Sequence, residues 1–243
     1  MSEHLTISED RIGHLVLGPH GPDASALLAS LDEAVRQLRK DHISALVIRG
    51  DGTGAWDLSQ VEEDASSCPA PAARLVGQRF RERGNRLVRR LDELHLPIIA
   101  AVTGPARGLG LAMALIADLR LATPDAVLGG CPKPASRVGY GIPWLLTRAV
   151  GDAIATQLVL GRELTADRAA ELGVFLEVVP GDRLTERATQ VAQDLLADTA
   201  NPARALQALR AARALPLDEA MLYASYTVQS MVTAEETVGE DHG

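Results

Sequence analysis

The stretch from Leu96 to Asp118, LPIIAAVTGPARGLGLAMALIAD, carries the clearest chemical signal in the chain. An apolar run from Pro97 to Val102 breaks at a glycine-rich turn, Thr103 to Gly110, and an apolar helical run follows at once. A strand, a tight turn and a helix start aim unpaired backbone N–H groups at one point, and that point suits a phosphate or a developing oxyanion. Several side chains nearby in sequence could hold an anion or move a proton. Arg107 lies inside the turn and could meet a phosphate or a carboxylate. Cys131 could act as a nucleophile or acid, with an inert buried thiol as the plainer reading. Tyr140, in a later glycine-rich turn, could act as an acid or simply pack. Lys133 and Arg137 flank the loop that holds Cys131, as solvated surface charges or as contacts for a substrate or its phosphate, and Trp144 is expected in the core. His95 has no second histidine at ligand spacing, so no metal site is read.

The elements that must position these groups follow from periodicity. Residues 4–18 read as strands broken near Glu9–Arg11. Asp23 or Ser25 can cap a helix carrying Leu27, Leu28, Leu31, Val35 and Leu38 at helical spacing. Ile43 to Ile48 is a wholly apolar strand, so 11–49 forms a β-α-β unit with a right-handed crossover. Residues 60–73 are polar and then proline-rich. A helix over 73–94 follows, and its arginines at 74, 79, 81, 83, 86, 89 and 90 form a solvated face or a phosphate site. Short strands are expected at Leu119–Ala122 and Ala126–Gly129, helices at 143–150 and 152–160, and a helix from Ala166 capped by Thr165 and closed by Gly173. Val174 to Val179 is a strand, and helices fill 182–198, 202–213 and 217–232 before an acidic, frayed tail. The order predicts an α/β core over 1–180 and a helical C-terminal segment over 181–243 that takes part in oligomerisation.

Composition bounds the partners. Hydrophobic residues make up 47% of 243 and charged residues 23%, an ordinary globular balance. Aromatics are only 3%, so the core must come from Ala, Leu, Val and Ile. A net charge of -8 argues against nucleic-acid binding, which needs a basic face. No uncharged apolar run reaches the roughly 18 residues of a membrane span. With only Cys68 and Cys131 and no apolar leader, a reduced cytoplasmic setting is expected.

The turn Thr103-Gly104-x-x-x-Gly108-Leu109-Gly110 resembles the phosphate-binding turn of the short-chain dehydrogenases, but its context differs. About a hundred residues precede it, no Tyr-x-x-x-Lys pair follows, and no strand ends in an acidic residue about twenty positions on. A second resemblance uses more of the chain. The strings PIIAAVTGPARGLGLAMALIADLRLATPDAVLG and LLTRAVGDAIATQLVLGRELTADRAAELGVFLEVVP, and more loosely ISALVIRGDGTGAWDLSQ, resemble the crotonase family, the enoyl-CoA hydratase/isomerase superfamily.

That resemblance implies a spiral of repeated β-β-α units, assembled as a homo-trimer or dimer of trimers, acting on acyl-CoA thioesters without a tightly bound cofactor. It implies two backbone amides that polarise the thioester carbonyl. One would come from the Gly54-Ala55-Trp56-Asp57 loop, at Ala55 or Trp56; the other from Leu109, whose isobutyl group would narrow the pocket. Asp57, Arg107 and Gly108 would contact the acyl-CoA. Hydratases of the family resemble one another in carrying two glutamates. Here the first position is Ala112 and the second falls on Cys131 or Pro132, neither of which can activate water. Three functions stay open: an isomerase, lyase or decarboxylase that needs mainly the oxyanion hole; a hydratase recruiting Asp57, Glu62, Glu63 or Asp64; and a non-catalytic partner in a biosynthetic complex.

Overall fold

The computed structural model describes residues 4–18, 24–38, 43–51, 54–59, 70–198 and 201–240. The main sheet has six strands in the spatial order β1 (Leu5–Ile7), β2 (Ile12–Leu17), β3 (Ala45–Gly50), β4 (Ile98–Val102), β6 (Leu119–Ala122) and β9 (Glu177–Val178). A smaller sheet holds β5 (Pro105–Ala106), β7 (Val127–Gly129) and β8 (Glu163–Thr165). Apart from β1 on β2, every pairing in the main sheet is parallel. Parallel neighbours need long crossovers. Helices α1 (Ala24–Leu38), α2 (Ala70–Asp92) and α3 (Leu109–Ile116) supply the first three. Then come α4 (Pro134–Val138), α5 (Ile142–Val159) and α6 (Ala166–Glu171), followed by α7 (Gly181–Asp198), α8 (Pro202–Ala212) and α9 (Leu217–Glu240). Two successive windings, β4-β5-α3 and β6-β7-α4, each give one strand to the large sheet, one to the small sheet, and then a helix. This is the expected crotonase-like spiral.

The main sheet is buried on both faces, which is why its strands read as unbroken apolar runs. Leu46 and Ile48 of β3 and Ile98, Ala100 and Val102 of β4 face the principal core with α1, α2, α3 and α5. Ala45, Val47, Ile99, Ala101 and Leu121 face the other way, onto Leu184, Ala188, Val191 and Ala192 of α7. The segment expected to begin at 181 as an appendage therefore starts with a helix that seals the sheet. Helix α8 is capped by Asn201, whose side chain accepts the Arg204 N–H at 3.1 Å, with Pro202 opening the helix.

The β-α-β unit, the broken first strands and the helix stop at Gly173 stand as expected. The helices expected over 143–150 and 152–160 also stand, as the two parts of α5 on either side of Gly151, whose φ of 71° and ψ of 169° are not helical. Several other local expectations are corrected. Thr165 makes no side-chain cap bond because it closes β8, paired with Val127. The strand over 174–179 shrinks to Glu177–Val178, since Val174 and Phe175 turn into the core. Helix α9 runs to Glu240 rather than fraying after 232. Ser25 lies within α1 rather than before it, and Asp23 lies outside the described residues. Among the described residues no helix is long and apolar enough to cross a membrane.

His14, in β2, offers a test of this packing. Burial, reinforced by the charge of Arg49, holds its imidazole below the ordinary value of 6.5. The unfolded chain then takes up that proton more readily, so this group's share of stability is complete above the unfolded value and is lost as pH falls toward the folded one. Urea unfolding between about pH 7 and about pH 5 is expected to show a steeper loss of stability for wild type than for His14→Gln. Equal slopes would count against the burial of this imidazole.

Candidate active site

The glycine-rich turn is built from backbone that only glycine adopts readily. Gly104 has φ 61° and Gly108 has φ 55°. Gly108 is the N-cap of α3 and supplies no side-chain bond to the helix start. Gly110 N–H returns to the Arg107 carbonyl at 3.1 Å and Ala112 N–H to the Gly108 carbonyl at 3.2 Å. Leu109 opens the helix, so its N–H has no intrahelical acceptor.

The Gly54–Ser59 loop lies directly against this turn. Gly54 is left-handed at φ 83°, and its carbonyl accepts the Asp57 N–H at 2.9 Å. The Trp56 carbonyl accepts the Arg107 N–H at 3.1 Å, and Asp57 and Arg107 form a parallel bridge. The Trp56 indole is fully buried and donates to the Ala101 carbonyl of β4 at 3.1 Å. The two segments touch so closely that a Cβ at Gly110 would stand 1.9 Å from the Trp56 oxygen, and one at Gly108 would stand 3.2 Å from the Ser59 Cα. Among the described residues, the N–H groups of Ala55, Trp56 and Leu109 have no acceptor.

Arg107 and Asp57 are occupied with each other. The guanidinium donates to Asp57 at 3.0 Å, to Glu163 at 3.0 Å and, through Nε, to the Gly129 carbonyl at 3.2 Å. The other Asp57 oxygen accepts the Ser59 N–H at 3.2 Å and its hydroxyl at 2.5 Å. Partial burial works against the guanidinium's charge, but the bonds to Asp57 and Glu163 outweigh it and raise the pKa above the ordinary value. Sequence reasoning singled out Arg107 and Asp57 but not Glu163, Gly129 or Ser59 as their partners. Nothing in the spacing of Glu163, 56 residues beyond Arg107, signals the pair.

The other candidates are placed as follows. Ala112 and Cys131 are buried. The Cys131 and Pro132 carbonyls accept from Arg137 at 2.5 and 3.3 Å, so Arg137 braces this loop rather than standing free. Tyr140 is buried with φ 54°, and its ring fills the space over Gly84 of α2. Leu109 is fully buried in the principal core, which also includes Ala112 and Trp56. Trp144 is a correction: it is 54% exposed, with the Arg148 guanidinium stacked 3.6 Å from its ring. On α2, Arg79, Arg81, Arg83, Arg86 and Arg89 are exposed, and Arg90 pairs with Asp32. Cys68, Glu62, Glu63 and Asp64 lie outside the described residues. Among the described residues no cluster of three or more His, Cys, Asp or Glu could hold a metal. A cavity of about 610 Å³ opens at the far end of α3, lined by Asp118, Arg120, Arg148 and Arg210, away from the two amide loops.

Comparison with known proteins identifies the family. The chain is 36% identical over 176 residues to 1,2-epoxyphenylacetyl-CoA isomerase of Escherichia coli K12, covering 69% of this chain and 64% of that protein. It is 29% identical over 182 residues to the short-chain-enoyl-CoA hydratase of Clostridium acetobutylicum, covering 72% and 66%. It thus spans just under two thirds of the length of these relatives. A solved structure from Streptomyces coelicolor A3(2) overlays 100% of this chain and 90% of its own, with a TM-score of 0.78 at 27% identity. The enoyl-CoA hydratase of Bacillus anthracis shares the fold with a TM-score of 0.78 at 20% identity, over 95% of this chain and 92% of its own. Residues 24–241 match the enoyl-CoA hydratase/isomerase family, and with the spiral fold and the paired amide loops this makes the chain a member of that family, the crotonases.

Proposed function

We propose that this chain is an enzyme that binds an acyl-CoA thioester and stabilises its enolate between the amides of Trp56 and Leu109. The observation that carries this reading is the contact between the Gly54–Ser59 loop and the start of α3, which leaves N–H groups of both segments without acceptors. The first turn of α3 adds a dipole of the right sign, and the buried apolar walls, Ala112 and Leu109 among them, keep the local dielectric low. Ala55 remains the neighbouring candidate for the first donor.

The step that fits is one needing the oxyanion more than a carboxylate base. Decarboxylation of a malonyl-type thioester breaks the bond from Cα to the carboxylate. The electron pair passes into the enolate, CO2 leaves, and Cα then takes a proton. Isomerisation of an enoyl thioester passes through a similar dienolate, with Cys131 or Tyr140 as the side chains that could shuttle its proton. Ordinary hydration fits less well, because Ala112 and either Cys131 or Pro132 stand where the resemblance puts the water-activating pair, and Asp57 is held by Arg107 and Ser59. The same absence supports a second reading, a non-catalytic partner that binds CoA esters. The exposed apolar residues Leu217, Met221, Leu222 and Tyr226 of α9 support assembly as a homo-oligomer.

A panel of malonyl-CoA, a 3-enoyl-CoA and crotonyl-CoA separates these readings. Turnover of either of the first two, with crotonyl-CoA slow or inert, is the expected result. Rapid crotonyl-CoA hydration would overturn the preference, and tight binding with no turnover would favour the partner reading. Leu109→Pro, which deletes one donor, is expected to cost about a hundred- to a thousandfold in kcat, with circular dichroism checking that the helix start survives. Gly110→Ala is expected to force the two loops apart, weakening acyl-CoA binding and lowering stability by about 1–3 kcal/mol in thermal or urea unfolding. An alanine variant with unchanged binding and stability would show that the close approach at Trp56 is not required.

A further inference from the structure

We infer that Arg107 is a positioning residue that sets the spacing of the two proposed amide donors, rather than a contact for the substrate's phosphates. The inference rests on the oxyanion reading above. Arg107 lies two residues before Leu109, and its own N–H binds the Trp56 carbonyl at 3.1 Å. Its side chain reaches the same loop again through Asp57 at 3.0 Å. One residue therefore ties the two donor segments together through both main chain and side chain. The remaining bonds, to the Gly129 carbonyl and Glu163, anchor this tie to the small sheet at β7 and β8. Ser59 holds the far oxygen of Asp57, so the carboxylate cannot swing away from the guanidinium without losing those bonds.

The geometry calls for arginine. Three acceptors from three segments are met by separate N–H groups of one planar fork, which a lysine ammonium on its flexible stem cannot reproduce. The Arg107 and Asp57 side chains are only 22% and 17% exposed, so this arm is shielded more than a surface pair, whereas Glu163 at 49% is closer to one. The Asp57 arm should therefore dominate. A carbonyl held between two amides is polarised in proportion to their alignment, and a small displacement of either loop weakens that effect before it weakens overall binding.

The test is isotope-edited infrared difference spectroscopy of butyryl-CoA, labelled at the thioester carbonyl, on the full chain and its variants. In wild type the carbonyl band should move to lower frequency on binding. Arg107→Ala should bind with a Kd within about tenfold of wild type yet lose at least half of that shift. Arg107→Lys should restore it only in part, and Glu163→Gln should resemble wild type. Should Arg107→Ala fail to fold, Asp57→Asn, nearly the same shape without the charge, is expected to reduce the shift in the same direction. A full wild-type shift in the folded Arg107→Ala variant, or in Asp57→Asn where only that variant folds, overturns the positioning role and leaves the oxyanion reading intact. Wild-type protein that binds without any shift, or does not bind, overturns the oxyanion reading and the positioning role with it.

Discussion

The close approach of two backbones, Trp56 against Arg107 and Gly110, is the constraint on which the rest of this structure depends. It arises from parallel pairing. Strands β3 and β4 lie side by side in the same direction, with Arg49 opposite Ala101, so the loops that follow them leave from the same edge of the sheet. The Trp56 indole then reaches back to the Ala101 carbonyl and fixes the first loop onto the second strand. Glycine at 108 and 110 removes the atoms that would hold the segments apart. None of these contacts is strong alone, since a net hydrogen bond contributes about 1 kcal/mol. Together they leave one relative placement of the two loops that satisfies all of them.

The two ends of α3 are treated differently. At its start, the N-cap glycine leaves amides uncovered. At its finish, Arg120 donates to the carbonyls of Leu115 and Ala117 and to Val174, placing a cation where the helix dipole is negative. Burial lowers the pKa of that guanidinium and Arg213 adds to the effect, while Asp118 opposes it. Asp118 in turn accepts the Ile98 N–H and two of the three bonds that Arg210 of α8 donates, the third going to the Asp92 carbonyl. The C-terminal helices thus help to hold the distal end of the helix whose proximal end faces the candidate site. A buried helix satisfied at one end and open at the other is a directed dipole, and the fold aims it at the Gly54–Ser59 loop.

The charges near that loop are spent on architecture. Arg107 pairs with both Asp57 and Glu163 across three chain segments, and Ala112 and Cys131 are buried. The proposed enolate binding would rely on fixed dipoles in apolar surroundings, where such dipoles act more strongly than in water. Tyr140 shows a related compromise. Its φ of 54° is costly for a side-chain-bearing residue, and the ring's burial over Gly84 compensates for it.

Much of this was legible without coordinates. The strand, glycine turn and helix over Leu96–Asp118, the β-α-β unit over 11–49 and the helix stop at Gly173 depend on periodicity and on glycine's conformational freedom, which act over a few residues and are written directly in the chain. The long strings shared with the crotonases add the order of the windings. Tertiary structure alone decided the rest. Trp144 carries the composition of a core residue but stands at the surface, because exposure depends on which neighbours arrive. Thr165 looks like a cap but serves as a strand end, because β7 pairs with it. Arg107 reads as a cation that could meet a phosphate or a carboxylate, and only folding brings Asp57 from 50 residues upstream and Glu163 from 56 downstream within hydrogen-bonding distance. Local geometry is set by neighbours in sequence, whereas an ion pair between distant segments exists only once the sheet has fixed where those segments lie.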